Sequence, residues 1–160
     1  HTTHSGKDLA VFDEATKSSY VPHVVECSVG VDRLFLTLLF DAYDEDEVDG
    51  ETRIVLRFHP AVAPFTAAIM PLSTKLSEQA EKIFLNLKSK GYRVQFDDGG
   101  SIGKRYRRQD EIGTPVCFTY DFDTETDGKV TARNRDTMQQ ERVSIDGIED
   151  YLRKLMAPAQ

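Results

Sequence analysis

The sequence predicts an α/β protein, in which a mixed-sheet domain follows a shorter strand–helix segment. Three observations support this fold class. From Phe65 onward, short β-branched and aromatic runs alternate with amphipathic stretches in the order β-α-β-α-β-β-β-α. The chain has 160 residues, of which 39% are hydrophobic, enough for a core of ordinary size. The proline-containing stretch HPAVAP, residues 59–64, is typical of a linker. We therefore predict two parts, residues 1–58 and residues 59–160.

The elements of the first part are short. The polar residues 1–20 predict a loop or an edge hairpin, and Val21–Cys27 predicts a strand. From Val31 to Ala42 the apolar residues recur at helical spacing and load almost every side, so we expect this helix to need a partner from elsewhere. The acidic run that ends at Gly50 predicts a solvated loop, and Arg53–Phe58 predicts a second strand.

The second part alternates between the two periodicities. One long helix is predicted with an apolar stripe and a glycine just beyond its end, and the last helix turns its apolar side inward. The dipeptide Asp127-Gly128 predicts a hairpin that joins two of the strands. The predicted strands are Phe65–Leu72, Tyr92–Phe96, Pro115–Phe122, Lys129–Asn134 and Met138–Ile145, and the predicted helices are Lys75–Lys90, Ile102–Ile112 and Gly147–Met156.

The charge is unevenly distributed along a chain whose formal net charge is −7. Residues 41–51 hold seven acidic side chains, whereas residues 104–108 read Lys-Arg-Tyr-Arg-Arg. An acidic total does not exclude a nucleic-acid partner, because the distribution of charge decides that question. Cys27 and Cys117 form no Cys-x-x-Cys pattern, no histidines have ligand spacing, and no apolar run is long enough for a membrane span. We expect a cytoplasmic protein with no metal site and no membrane contact.

The predicted basic helix carries Lys104, Arg105, Arg107 and Arg108 within less than half of its circumference. These cations lie at the helix start and the acidic residues toward its end, the reverse of the order that the helix dipole favours. Such a departure from local consistency often marks a site, and this one would suit a phosphate or a nucleotide edge. The alternative is a surface ion network with Asp97, Asp98, Asp110 and Glu111.

A second candidate site is the junction between the first predicted strand and helix, from Glu26 to Arg33. Gly30 would let a ligand approach the backbone, and Arg33 in the first helical turn could hold a phosphate through two hydrogen bonds. Glu26, at the end of the strand, could accept an ammonium group. The alternative is that Asp32 and Arg33 only cap the helix.

These two stretches resemble a known family. A strand followed by Glu-x-Ser-x-Gly-Val-Asp-Arg and an apolar helix resembles motif 3 of the class II aminoacyl-tRNA synthetases. Residues 97–115, DDGGSIGKRYRRQDEIGTP, resemble the anticodon-binding domain of the subclass containing the glycyl, histidyl, prolyl and threonyl enzymes. With HSGKDL and VVECSVGVDR, the chain is similar over nearly its whole length to the C-terminal segment of the homodimeric glycyl-tRNA synthetases.

The resemblance implies an anticodon-binding domain after a tail of the class II catalytic domain. It implies that Arg33 holds the phosphates of ATP as the catalytic residue, beside the backbone of Gly30, Val31 and Asp32, and that Glu26, Ser28 and Gly30 border the glycine pocket. Lys104, Arg105, Arg107 and Arg108 would contact the anticodon, whose bases are read by stacking and edge contacts. Tyr106 either stacks on a base or faces the core.

The family activates glycine with ATP and Mg²⁺ and transfers it to the 3′ end of glycine tRNA. The implied partners are glycine tRNA, glycine, ATP and a second subunit, and not DNA. Nothing in the sequence resembles motif 1 or motif 2, so the chain is expected to be a C-terminal segment that is inactive by itself. The alternatives are a noncatalytic RNA-binding or accessory protein with the same fold, and a sister enzyme of the subclass. The intact motif 3 residues and the non-Met start favour the ligase segment.

Overall fold

The computed structural model describes residues 1–48 and 50–157. Contacts between residues divide the chain into two compact units, one of residues 1–34 and one that begins at Phe35. The predicted boundary after residue 58 concerns which segment belongs to a catalytic domain, and it stays a prediction.

The first unit contains a short helix, α1 (Thr2–Ser5), and two strands, β1 (Val11–Asp13) and β2 (Ser18–Tyr20). The strands pair antiparallel, so the hairpin is the alternative that the structure confirms. The predicted strand Val21–Cys27 is wrong, because residues 21–30 form no helix or strand. This segment is almost wholly exposed, and an extended segment without a neighbouring strand has nothing to bond its backbone groups.

Helix α2 (Val31–Ala42) forms where the apolar spacing predicts it. Most of its apolar residues are exposed, and the exposed fraction is 62% for Phe35 and 76% for Phe40. Ala42 is its buried residue. A helix with this much exposed apolar area is typical of one that packs against another segment.

A hairpin of β3 (Tyr43–Val48) and β4 (Glu51–Leu56) follows α2 directly. The prediction of a solvated loop here is wrong. The antiparallel register sets Asp46 opposite Arg53, and directly opposed residues of a pair lie on the same face. The acidic charges of this face are therefore balanced by arginine side chains, and the acidic run can pair as a strand.

The main sheet has the strand order β6-β5-β7-β8-β9. Its first three strands run parallel and its last two pairs are antiparallel, which confirms the mixed sheet. The two central parallel strands are buried at every residue, as expected for strands covered on both faces. The strands are β5 (Ala67–Pro71), β6 (Val94–Phe96), β7 (Val116–Tyr120), β8 (Lys129–Asn134) and β9 (Gln140–Ser144).

Helices cover both faces of this sheet. The larger core holds Ile69 with residues of α3 (Ser77–Ser89) and α6 (Ile148–Met156), whereas α4 (Ile102–Ile112) packs on the other face, where Met70 points.

The predicted order of elements is confirmed, with one addition. Strands β7 and β8 pair antiparallel, which confirms the hairpin predicted between them, but its connection is longer than the dipeptide Asp127-Gly128 and includes the helical turn α5 (Thr124–Asp127). Within the described residues, no helix has the length and apolar character to cross a membrane.

Candidate nucleic-acid interface

Helix α4, which carries the basic run, is oriented by the residues that it turns toward the sheet. Tyr106 packs on the smaller core, its hydroxyl lies 2.7 Å from Oγ1 of Thr119, and the Arg133 guanidinium stands 4.8 Å from its ring centroid. Burial raises the pKa of this phenol. Of the two alternatives for Tyr106, the structure therefore supports the core position.

Arg105 does not share the exposed side of α4 with the other cations. It is 4% exposed, and its Nη1 donates to the carbonyl oxygen of Pro71 at 2.5 Å and to that of Asp97 at 3.3 Å. At 100° per residue, Arg105 follows Ile102 by three positions, so both turn toward the sheet. The predicted basic face is wrong for this residue, which instead ties α4 to the ends of β5 and β6.

Arg108 is bound to Asp97, as the ion-network alternative predicts. Its Nη1 donates to both carboxylate oxygens, at 2.6 and 2.7 Å, and its Nη2 donates to the Gly99 carbonyl at 3.3 Å. Asp97 is 6% exposed, so this pair is largely a structural contact.

Lys104 and Arg107 are the two predicted cations that stay available to a ligand. They line a cleft of about 490 Å³ between β4 and α4, and neither takes part in an ion pair among residues 1–48 and 50–157. The same cleft is lined by Glu51, Gly103, Arg108 and Glu111. The predicted patch of four cations is therefore a cleft in which two unpaired cations face two carboxylates.

Asp110 is the centre of a buried ion network that joins three elements. Nη1 and Nη2 of Arg133 on β8 donate to its two carboxylate oxygens, and Nη1 of Arg53 on β4 donates to Oδ2 at 3.2 Å. All three side chains are at least 93% buried. Charges this deeply buried are retained in proteins when each has partners, and here the arginines hold the β3–β4 hairpin and β8 against α4.

The network continues to the edge of the hairpin. Arg53 also donates from Nε to Asp46 at 2.7 Å, and Arg57 donates to Asp44 at 2.6 Å and to Asp136 at 3.2 Å. These arginine hydrogen bonds lower the pKa of both hairpin carboxyls, Asp46 through Arg53 and Asp44 through Arg57. Sequence reasoning missed this network, although the symmetry of acids and arginines about Gly50 could have indicated a hairpin.

Gly113 ends α4 at the point where the chain from the hairpin passes. Its φ is +85°, and a Cβ added there would lie 2.6 Å from Cδ2 of Phe58 and 2.8 Å from the Leu56 carbonyl. Arg135 donates to the carbonyls of both Gly113 and Phe58, each at 2.9 Å. Only glycine permits this approach together with this backbone conformation.

An aromatic side chain missed by sequence reasoning stands at the carboxyl ends of the parallel strands. Phe122 is 54% exposed, two residues beyond β7, and Leu72 just beyond β5 is 39% exposed. The two strand ends are joined by the hydrogen bond from Leu72 N to the Tyr120 carbonyl, at 2.8 Å. In open α/β sheets this edge is where ligands bind. The signal in the sequence is a phenylalanine set between two aspartates, directly after a buried strand.

The predicted ATP and glycine residues lie in the first unit and at the start of α2. The Leu34 amide donates to the Gly30 carbonyl at 3.0 Å, which begins the helix. Glu26 does not end a strand, and in the part of the chain that the structure describes no group of three or more metal-ligating side chains occurs. The residues of this set, all exposed, are Glu26, Ser28, Gly30, Val31, Asp32 and Arg33.

Residues 66–155 match the family described as the anticodon binding domain, and the chain belongs to this family. The glycine–tRNA ligase of Caldanaerobacter subterraneus subsp. tengcongensis is 59% identical over 152 residues, which cover 95% of this chain and 33% of the relative. The glycine–tRNA ligase of Lachnospira eligens is 57% identical over 152 residues, covering 94% of this chain and 33% of the relative. The chain thus spans about a third of the length of these curated relatives.

A solved structure shows the same fold. The RNA binding domain of threonyl-tRNA synthetase from Cryptosporidium parvum Iowa II superposes with a TM-score of 0.59 at 24% identity, covering 64% of this chain and 26% of that one. The predicted fold class, a mixed-sheet anticodon-binding domain, is therefore confirmed.

Proposed function

We propose that this chain is the C-terminal segment of a glycine–tRNA ligase and that its anticodon-binding domain binds the anticodon loop of glycine tRNA. The observation that carries the proposal is the 59% identity to such a ligase over 95% of the chain. The match includes the motif 3 segment as well as the second domain. A noncatalytic accessory protein, the alternative, is therefore not favoured.

The surface of α4 and the strand ends supports binding of a single-stranded loop. Lys104 and Arg107 offer charge that no ion pair within the described part of the chain neutralises, and Phe122 offers an exposed ring on which a base can stack. RNA loops are recognised through unstacked bases that contact aromatic rings and polar side chains. Arg105 and Arg108 hold α4 in place through hydrogen bonds to Pro71 and Asp97 at the strand ends.

The proposal extends to the ligase reaction through the motif 3 residues. Arg33 would bind phosphates of ATP beside Gly30, Val31 and Asp32, and Glu26 and Ser28 would border the glycine site. These exposed residues supply one cation and no metal-ligating cluster among the described residues. They fit only one wall of a site for ATP and Mg²⁺, and no chemical step follows from them alone. We also propose a cytoplasmic homodimer for the complete ligase.

The direct test is binding of RNA by the chain itself. The chain would be titrated with the anticodon stem-loop of glycine tRNA and with the same stem carrying an unrelated anticodon. We expect the glycine loop to bind at least about tenfold more tightly, since each base contact contributes roughly 1–3 kcal/mol. Equal affinities for the two loops would contradict the proposal. In an assay of glycine-dependent pyrophosphate exchange, the chain alone should show no activity.

A further inference from the structure

The connection between β4 and β5, residues 57–66, is held in place although its prolines are typical of a linker. Arg135, just beyond β8, donates to the Phe58 carbonyl at 2.9 Å. Arg93, just before β6, donates to the Ala61 carbonyl at 3.1 Å. A hinge needs a few residues whose backbone dihedral angles are free to change. This connection is instead bonded at two points to side chains of the anticodon-binding domain.

The carboxyl end of α2 packs on the same connection. Ala42 is buried together with Phe58 and Ala63, and the Arg57 amide donates to the Ala42 carbonyl at 2.6 Å. From Phe35 onward α2 belongs to one compact unit with the hairpin and the anticodon-binding domain. Because packed interiors have low compressibility and transmit strain, a displacement of the domain would carry the end of α2 with it.

Asp136, in the turn after β8, fastens the hairpin side to the domain side. Its Oδ1 accepts from Nη1 of Arg57 at 3.2 Å and from Nε of Arg135 at 2.9 Å, and its Oδ2 accepts from Nη2 of Arg135 at 2.9 Å. One carboxylate thus holds both the arginine that follows β4 and the arginine that binds the Phe58 carbonyl. The contacts among Arg57, Phe58, Arg135 and Asp136 form a joint between β4 and β8.

We propose that this joint fixes the orientation of the anticodon-binding domain on α2, with Arg57, Arg135 and Asp136 as positioning residues for the charging of tRNA. The inference rests on the proposed function. Helix α2 begins at Val31, within the motif 3 segment, so a rigid joint presents the bound tRNA to the reacting centre in one orientation. A misplacement of about 1 Å can cost roughly a hundredfold in rate. The joint therefore acts on the transfer step and not on the affinity for the anticodon loop.

The first test uses the complete ligase that contains this chain. In Asp136→Ala, kcat for aminoacylation of glycine tRNA should fall about tenfold or more. Glycine-dependent pyrophosphate exchange and affinity for the anticodon stem-loop should each stay within about twofold of the parent, as for a surface substitution. Asp127→Ala is the matched control. Its carboxylate is 40% exposed, against 45% for Asp136, and is also paired with an arginine, Arg142, but it lies outside the joint. This control should keep the parent values in all three measurements.

The second test measures the orientation directly on the chain. Nitroxide labels are attached through Asp41→Cys on α2 and Glu81→Cys on α3, two exposed positions, after Cys27→Ser has removed the exposed natural thiol. Electron–electron resonance then gives the distribution of distances between the labels. The distribution should be narrow in the parent and broader in Asp136→Ala, whereas Asp127→Ala should leave it narrow.

Three results would overturn the inference while leaving the proposed function standing. In the first, Asp136→Ala keeps the kcat of the parent for aminoacylation. In the second, pyrophosphate exchange or stem-loop affinity falls by the same factor as aminoacylation, so that the loss is general. In the third, the distance distribution stays narrow although aminoacylation falls. A parent ligase that does not charge glycine tRNA would overturn the proposed function and this inference with it.

Discussion

The two guanidinium nitrogens Nη1 and Nη2 of Arg133 donate to the two carboxylate oxygens of Asp110, at 2.9 and 3.1 Å. This paired geometry is the strongest form of an arginine–carboxylate contact. Arg53 adds a third hydrogen bond to the same carboxylate. One aspartate thus balances two buried arginines, and its loss leaves both without their shared acceptor.

Asp110→Asn should lower the free energy of unfolding by about 3–5 kcal/mol, the usual cost of removing one member of a buried ion pair. Asp150→Asn, which changes an exposed carboxylate on α6, should stay within roughly 0.5 kcal/mol of the parent. Urea denaturation of both variants checks this. A denaturation midpoint of Asp110→Asn equal to that of the parent would show that the network contributes nothing to stability.

The β3–β4 hairpin should become less stable in acid. Arg53 and Arg57 lower the pKa values of Asp46 and Asp44 in the folded chain. The contribution of these groups is therefore complete above the pKa of a free aspartate, about 3.9, and is lost as the pH falls through the lower folded values. Amide chemical shifts of β3 and β4, followed between pH 6 and pH 2, measure this change. In Asp46→Asn the acid-dependent part should be smaller, and an unchanged titration would contradict the assignment.

Gly113→Ala should destabilise the chain more than Gly100→Ala. Both glycines have positive φ, +85° and +82°, but only Gly113 has neighbours where the new methyl group would stand. The conformation alone costs about 1–2 kcal/mol, and the clash with Phe58 and the Leu56 carbonyl should add roughly 1–3 kcal/mol at Gly113. Comparison of the thermal unfolding of the two variants separates the cost of the backbone conformation from the cost of the clash. Equal losses would mean that the segment after β4 shifts without cost.

Phe122→Ala should weaken binding of the glycine anticodon stem-loop by roughly tenfold, because stacking of a base on an aromatic ring contributes about 1–3 kcal/mol. Leu85→Ala removes a side chain of similar exposure, 52%, from α3 and should leave affinity unchanged. Fluorescence anisotropy with labelled RNA gives both values. If the two variants bind alike, the strand ends are not part of the RNA surface.

Arg105→Ala and Arg107→Ala should have different effects although the residues are two positions apart. Arg105 donates to two backbone carbonyls from a buried position, so its loss should lower stability by about 1.5–3 kcal/mol. Arg107 lines the cleft and belongs to no ion pair among the described residues, so its loss should instead reduce RNA affinity roughly tenfold. Unfolding and RNA titration of each variant test the separation. If both substitutions reduce RNA affinity equally, Arg105 is part of the RNA-binding surface.

The second domain was predictable because each of its elements has a signal in the residues close to it in the sequence. Helix α4 has the predicted bounds, Ile102 and Ile112, and the final helix differs from its prediction by one residue at its start. A change from strand to helical spacing, together with glycine at the helix ends, depends on neighbours in sequence. The short strand predicted over Val21–Cys27 failed because its β-branched residues carry no information about a pairing partner.

The site was predictable only in part. Four cations on a helix indicate that one side of the helix is charged, but their spacing does not show which edge of that side turns toward the sheet. The burial of Arg105 could therefore be found only from the structure. The hairpin was missed because its acids looked solvated. Asp46 has its arginine seven residues away, and Arg53 has its other acceptors at separations of 57 and 82 residues. No local pattern reports contacts at such distances.

These separations also set an order for folding during synthesis. Arg53 leaves the ribosome 82 residues before Arg135, whose carbonyl it binds in the folded chain. At roughly 5–20 residues per second, the interval is about 4–16 s. A hairpin forms within microseconds, so β3 and β4 can pair long before their docking surface exists. Charged side chains on an exposed strand disfavour its association with other chains, so during that interval we expect the carboxylates of β3, which in the folded chain balance Arg53 and Arg57, to have this second effect.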